Sequence, residues 1–191
     1  YFPTIPQKSG AGIQIVSSGP DNINQQIKQG FLRMINTAED YILIQSPYCV
    51  PDESILEALK IALLSGIDVR IMIPNKPDHI FIYWVTLAYV GELIEYGAKI
   101  FIYENGFLHA KTIVVDDSVC SVGSCNFDIR SFRLNFETNA FIYDRKVATQ
   151  LKHIFVEDIK KCTYYNKELY RNRSRRVKIK ESISRLFSPL L

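Results

Sequence analysis

The stretch that decides the reading of this chain is Leu108-His109-Ala110-Lys111-Thr112-Ile113-Val114-Val115, then Asp116-Asp117-Ser118, then Val119-Cys120-Ser121-Val122-Gly123-Ser124-Cys125-Asn126. Two apolar, β-branched runs separated by three polar residues predict a hairpin of strands 108–115 and 119–123. Residues two apart on a strand share a face, so His109 and Lys111 point the same way and Ala110 the other. The run Thr112-Ile113-Val114-Val115 anchors that pair in the core. Gly123 permits close backbone approach, and Ser124 and Asn126 offer hydrogen bonds suited to phosphoryl oxygens. Glu137, in Asn135-Phe136-Glu137-Thr138-Asn139, leads into a further strand toward the same edge.

Outward from the hairpin, short apolar runs alternate with longer stretches of helical period. Strands are predicted at 13–17, 41–46, 68–73, 99–103 and 139–143, and helices at 23–36, 53–64, 80–96 and 148–162. Asp21 reads as a helix cap, and Gly66 and Gly97 as helix stops. Such alternation predicts an α/β fold, with a mixed, largely parallel sheet flanked by helices on both faces. No repeat or linker divides residues 1–170, which read as one domain; residues 171–191 read as a basic extension packed on it or appended to it.

A length of 191 residues suits one domain with its own core, and 47% hydrophobic with 9 Gly and 8 Pro excludes disordered and low-complexity classes. Of the 23 Lys and Arg and 20 Asp and Glu, residues 171–191 hold seven and one, so the extension is basic and the remainder mildly acidic. A basic tail suits an anionic surface. An acidic body with no basic stripe around His109 argues against a nucleic-acid partner. Cys49, Cys120, Cys125 and Cys162 form no CxxC pair, which predicts free thiols in a reducing, intracellular setting without a metal site. The chain starts at Tyr1 without a signal peptide and reads as a piece of a longer protein. Its most apolar stretch, 80–91, has about twelve residues, short of the roughly twenty a membrane span needs, so the chain is expected to be soluble. His79 and His153 read as ordinary packed or surface imidazoles. Phe81-Ile82-Tyr83-Trp84 reads as helix core or as an interfacial contact.

The ordered string His109-x-Lys111-x4-Asp116-x6-Gly123-Ser124-x-Asn126 resembles the HxKx4D(x6)GSxN signature of the phospholipase D superfamily. Further stretches look like the C-terminal half of bacterial cardiolipin synthases: Ser46-Pro47-Tyr48, Pro51-Asp52-Glu53-Ser54, Ile71-Met72-Ile73-Pro74-Asn75-Lys76-Pro77-Asp78, Asn126-Phe127-Asp128-Ile129-Arg130-Ser131-Phe132 and Arg185-Leu186-Phe187-Ser188-Pro189-Leu190-Leu191. The resemblance covers nearly the whole chain; Cys125 departs from it, standing where small residues are usual. It implies a phospholipase D-like fold and phosphatidyl transfer between two phosphatidylglycerol molecules, giving cardiolipin and glycerol through a phosphohistidine, with no cofactor.

By the same resemblance His109 is catalytic, and Lys111 and Asn126, with Ser124 and Gly123, hold the non-bridging oxygens. Glu137 accepts the His109 Nδ1 proton. Asp116, five residues after Lys111 and so of opposite strand parity, is assigned to the hairpin and the inter-motif interface. The family sets two copies of the motif face to face, its C-terminal histidine acting mainly as general acid and base and its N-terminal one as nucleophile. This chain has one copy, since neither His79 nor His153 is followed two residues later by lysine. The expected partners are therefore the N-terminal half of the same protein or an identical chain, with an anionic membrane at the cytoplasmic face of the bacterial cell. Two other readings stay open: another phosphodiesterase of the superfamily, a phospholipase or nuclease, and an inactive half-domain that only binds membrane.

Overall fold

The computed structural model describes residues 10–76 and 80–186. In chain order they form β1 (Gly12–Ser18), α1 (Gln26–Asn36), β2 (Tyr41–Gln45), β3 (Cys49–Val50), α2 (Glu53–Leu64), β4 (Asp68–Pro74), α3 (Ile80–Glu95), β5 (Lys99–Tyr103), β6 (Thr112–Val115), β7 (Val119–Gly123), β8 (Phe127–Asp128), α4 (Ile129–Arg133), β9 (Glu137–Tyr143), α5 (Arg145–Ile159), β10 (Cys162–Tyr165), α6 (Lys167–Arg171) and α7 (Arg175–Leu186). The main sheet has the order β1-β9-β7-β6-β2-β4-β5-β10, and β3 pairs with β8 apart from it. The sheet is mixed. Its parallel character is confined to β2, β4 and β5, and the other pairings are antiparallel. The reason is the hairpin, which reverses the chain without the crossover helix that a parallel pairing requires.

Both faces of β2 and β4 are covered, which is why they read as continuous apolar runs. Ile42, Ile44, Ile71 and Ile73 pack with residues of α1, α2 and α3 on one face. Leu43 and Met72 pack with Ala148 and Phe155 of α5 on the other. At about 1.5–3 kcal/mol for each fully buried side chain of this size, that doubly covered block is the frame on which the edges hang.

Several element ends differ from expectation, and each difference has a nonlocal cause. Helix α1 starts at Gln26 rather than 23 because Ser18, at the end of β1, accepts the Ile27 N–H at 2.9 Å. Asp21 instead accepts from the Asn22 side chain, at 3.3 Å. Helix α5 starts earlier than expected, at Arg145, because Asp144 accepts the Val147 N–H at 2.9 Å. It stops at Ile159, and the chain from Cys162 pairs with β5 as an edge strand. Gly66 and Gly97 end their helices in the left-handed region, at φ +89° and +106°.

The basic C-terminal residues are drawn onto α3. A Cβ at Gly91 would overlap the Tyr170 ring, so α6 reaches α3 only over a glycine. Arg171 and Lys167 hold Glu95. Arg173 joins buried Glu181 at 2.6 Å while lying 3.6 Å over the Tyr170 ring, and Arg185 pairs with Glu92. Among the described residues no helix is long and apolar enough to cross a membrane.

The hairpin turn is locked at the far end of β6. Asp116 and Asp117 both adopt φ +50°, a region that aspartate tolerates better than most residues. The Asp116 carboxylate accepts the backbone N–H groups of Glu39, Asp40 and Tyr41 at 2.7, 3.0 and 2.8 Å. The Tyr41 hydroxyl donates to Asp117 Oδ1 and accepts from the Asp117 N–H, both at 2.7 Å. Burial and that carboxylate push the Tyr41 phenol well above its usual range, so it stays protonated as a donor. Replacing Asp116 by alanine removes three charge-assisted hydrogen bonds, two of them at exposed N–H groups that water can take over, and is expected to cost about 1–2 kcal/mol of stability in urea unfolding. Asp116→Asn, which keeps one acceptor oxygen, is expected to cost less.

Candidate active site

Strands β2 and β7 end, and β6 and β9 begin, along one edge of the sheet. The carboxyl edge of the parallel strands is where open α/β sheets bind ligands. His109 and Lys111 lie just before β6, the segment 123–126 ends and follows β7, and Glu137 opens β9.

The predicted strand 108–115 keeps only its second half. Gln45, the last residue of β2, pairs with Thr112, and Thr112 pairs on its other side with Val122. Before Thr112 neither neighbour remains to extend the ladder; the Gly123 N–H reaches the Lys111 carbonyl at 3.4 Å, and no strand among the described residues pairs with His109. His109 is therefore carried off the sheet and exposed, its ring stacked on Phe107 with centroids 5.5 Å apart. Lys111 is half-buried, and its ammonium donates to the His109 main-chain carbonyl at 3.0 Å.

The loop after β7 is held by a residue that sequence reasoning did not single out. Asn139 of β9, fully buried, accepts the Cys125 N–H at 3.1 Å and donates to Ser121 Oγ at 3.1 Å. It lies directly against Gly123: any Cβ there would overlap the Asn139 amide and the Thr138 carbonyl. A polar residue inside an apolar strand was the available signal. Ser124 is tied to β9 as well, its N–H donating to the Thr138 carbonyl at 3.0 Å and its Oγ accepting the Thr138 N–H at 2.9 Å. Gly123→Ala is expected to displace this loop, at a cost of about 1–3 kcal/mol in denaturant unfolding.

Behind the loop sits a cluster of polar side chains. The Oδ1 of Asn126 is buried without a hydrogen-bond partner among the described residues, while its amide interacts with the Asp128 carboxylate. Asp128 caps α4, accepting the Ser131 N–H at 2.6 Å, and burial together with the Glu137 charge raises its carboxyl above the usual range. Burial also pushes the Cys125 thiol far up, aided by Glu137 and Asp128 and opposed by Lys111, so these four groups share one field and the thiol is inert. Beside it a mainly apolar cavity of about 10 Å³, walled by Phe31, Ile113 and Phe127 and reached by Gln45, Ser46 and Lys111, is about the size of one water. Ser46 joins the two sheets here, accepting the Phe127 N–H at 3.0 Å and donating to the Tyr48 carbonyl at 2.6 Å.

The structure thus brings His109, Lys111, Gly123, Ser124, Asn126 and Glu137 to one edge. Glu137 is buried, and its Oε1 accepts from the Asn135 amide at 3.1 Å; no hydrogen bond joins it to His109. Asp116 lies at the other end of β6, about 16 Å from Lys111 by strand rise. His153 is exposed on α5, and His79 lies outside the described residues. All four cysteines are free, and no group of His, Cys, Asp or Glu among the described residues is arranged to hold a metal ion.

Asp52 steadies the site from below. Its carboxylate caps α2 through the Ile55 N–H at 3.1 Å, pairs with Lys28 of α1 at 2.8 Å, and lies 3.7 Å from Arg133 of α4, which follows β8. Burial pushes this carboxyl up, but Lys28, the Ile55 N–H and Ser54 outweigh it and hold the group below its ordinary value. A depressed carboxyl stabilises the fold at neutral pH and loses that contribution as pH falls from about 4 through its folded pKa. Melting temperatures followed downward from pH 6 should therefore drop, and Asp52→Asn should start lower and show a shallower acid limb.

Comparison with known proteins places this geometry. A family model described as cardiolipin synthase, PLD-like domain, matches residues 31–159. The chain is 60% identical over 191 residues to a cardiolipin synthase of Listeria welshimeri, covering all of this chain and 40% of that protein. It is 56% identical to the major cardiolipin synthase of Bacillus subtilis, with the same coverage. The chain spans about two fifths of the length of these curated relatives. Among solved structures, phosphatidylserine synthase from Haemophilus influenzae superposes with a TM-score of 0.73 at 14% identity, covering 97% of this chain and 47% of that one. Nuc, a phospholipase D family member from Salmonella typhimurium, does so with a TM-score of 0.68 at 21% identity, covering 82% and 99%. At those identities the structural likeness bears on the fold alone.

Proposed function

The chain belongs to the phospholipase D-like domain family of cardiolipin synthases, and from that premise we propose that it is one half of the active site of a phosphatidyltransferase that joins two phosphatidylglycerol molecules. The observation that carries this reading is the exposed His109, whose main-chain carbonyl holds the Lys111 ammonium, at a sheet edge whose loop also carries Asn126. A phosphodiester has a poor leaving group, and passing through a phosphorus–nitrogen bond splits one hard displacement into two easier ones.

In the proposed cycle a histidine of an opposing half-site attacks phosphorus, forming the P–N bond as the P–O bond to glycerol breaks. His109 gives its proton to the departing glycerol oxygen. It then takes a proton from the hydroxyl of a second phosphatidylglycerol, whose oxygen displaces the histidine and yields cardiolipin. Lys111 and one amide hydrogen of Asn126 face the negative charge that grows on the non-bridging oxygens, with Ser124 alongside. Glu137 is assigned the Nδ1 proton of His109 in the completed site, Asn135 holding it in this chain. The opposing half is the remainder of the longer protein or a second copy of this chain; in a homodimer His109 serves both roles. We place the site at the cytoplasmic face of the bacterial membrane, where its lipid substrates lie.

The test is to incubate phosphatidylglycerol vesicles with the 191-residue chain and with the whole-length protein, and to quantify cardiolipin and glycerol. Product from the whole-length protein, with His109→Ala lowering turnover by about 10²–10⁴-fold, is the expected outcome. Product from the short chain alone would assign the second half-site to a homodimer. Hydrolysis of nucleic acid with no lipid product from either would replace this reading by the nuclease one.

A further inference from the structure

Helix α7 is built the wrong way round for a helix that only covers a core. Its inward side carries Val177, Glu181 and Ser184, and the last two are 2% and 4% exposed. Its outward side carries Ile179, Ile183 and Leu186, which are 58%, 51% and 78% exposed. These three are spaced four and three residues apart, so they form one continuous stripe along the helix. A surface helix of a soluble domain ordinarily does the reverse.

The charges follow the stripe. Glu181, the one acid of α7, is turned inward to Arg173. Arg175 and Arg176, one turn before Ile179, are exposed and have no ion pair among the described residues. Lys178 is also exposed, contributing only a distant attraction to Glu181. The outer side is therefore an apolar stripe bordered by unpaired cations, with no acidic group. The helix is rigidly mounted: Arg173 and Arg185 clamp it to the body, and Lys180 lies 4.8 Å over the Trp84 ring of α3.

We propose that the outer face of α7 is an interfacial contact with an anionic lipid surface, the isoleucines and leucine entering the headgroup–acyl boundary and Arg175 and Arg176 meeting lipid phosphates. A layered surface, apolar beneath and negative above, satisfies the whole face at once. A nucleic acid would leave the stripe wet, and a protein partner would have to be apolar and acidic in the same stripe. The proposal concerns where the domain meets lipid and does not need the transfer reaction. Vesicle binding through α7 by a chain whose whole-length protein makes no cardiolipin would overturn that reaction and leave this contact standing.

The experiment is co-sedimentation of the 191-residue chain with vesicles of phosphatidylcholine alone and of phosphatidylcholine mixed with phosphatidylglycerol, at low and high salt. Ile179→Ser/Ile183→Ser tests the stripe, Arg175→Glu/Arg176→Glu tests the charges, and Ile61→Ser, at an isoleucine 59% exposed on α2, is the control. Unchanged melting curves and Trp84 emission in the absence of lipid would show that α7 stays docked. The expected result is salt-sensitive binding to the mixed vesicles, weakened at least about tenfold by either double change and unaffected by Ile61→Ser. No binding by the unmodified chain, equal binding to phosphatidylcholine alone, or equal loss in the control would each overturn it. So would a stripe variant that dissociates a dimer of the chain while binding vesicles as before; the stripe would then be a protein interface.

Discussion

The close approach of Gly123 to Asn139 is the contact on which the rest of the site depends. Only a residue without a side chain lets β7 lie flat against that amide, and only then can Asn139 take the Cys125 N–H and hold Ser121. The loop carrying Ser124 and Asn126 is thereby fixed through its main chain, and the Ser124 hydroxyl, which accepts the Thr138 N–H, and the Asn126 amide, which meets Asp128, are set in place with it. Fixing polar groups through the main chain is economical where a charged ligand must be met without rearrangement.

A second constraint acts from the opposite end of the hairpin. The strand β6 is four residues long, and its register is pinned by Asp116 and Asp117 against Tyr41 and its neighbours. Register errors in a strand move every side chain to the other face. Locking the turn therefore sets which faces Thr112 to Val115 present, and with them the point at which the segment carrying Lys111 joins the sheet. The positive φ at two successive aspartates is a strain that the three N–H bonds to Asp116 and the Tyr41 and Lys152 contacts to Asp117 offset.

Most of the candidate site residues were legible in the sequence because they form one local string, but the strand parity expected to set His109 with Lys111 does not operate there, since both lie before β6. What was not legible depends on where other chains of the sheet stop. Residues 108–111 carry strand-like neighbours, yet they leave the ladder because β2 and β7 end beside Thr112. The cap of α1 comes from β1, and Cys162 leaves the helical pattern to pair with β5. Asn139 reads as one more strand residue until its partner across the ladder is known to be glycine. The seven basic residues of the tail read as a single electrostatic feature; packing divides them into those consumed by Glu92, Glu95 and Glu181 and those left at the surface.

The separation of lock and chemistry to opposite ends of β6 has a consequence for assembly. A module whose reactive groups all lie along one border, with its structural acids and turns on the far side, can be used twice without redesign. Placed border to border about a two-fold axis, two such modules present the same donors to both sides of a phosphorus atom, and the symmetry is that of an in-line displacement, with entering and leaving groups on opposite faces. A second module opposite this one would then need only a matching border, and the far side of each, with its hairpin lock, would be untouched by the pairing.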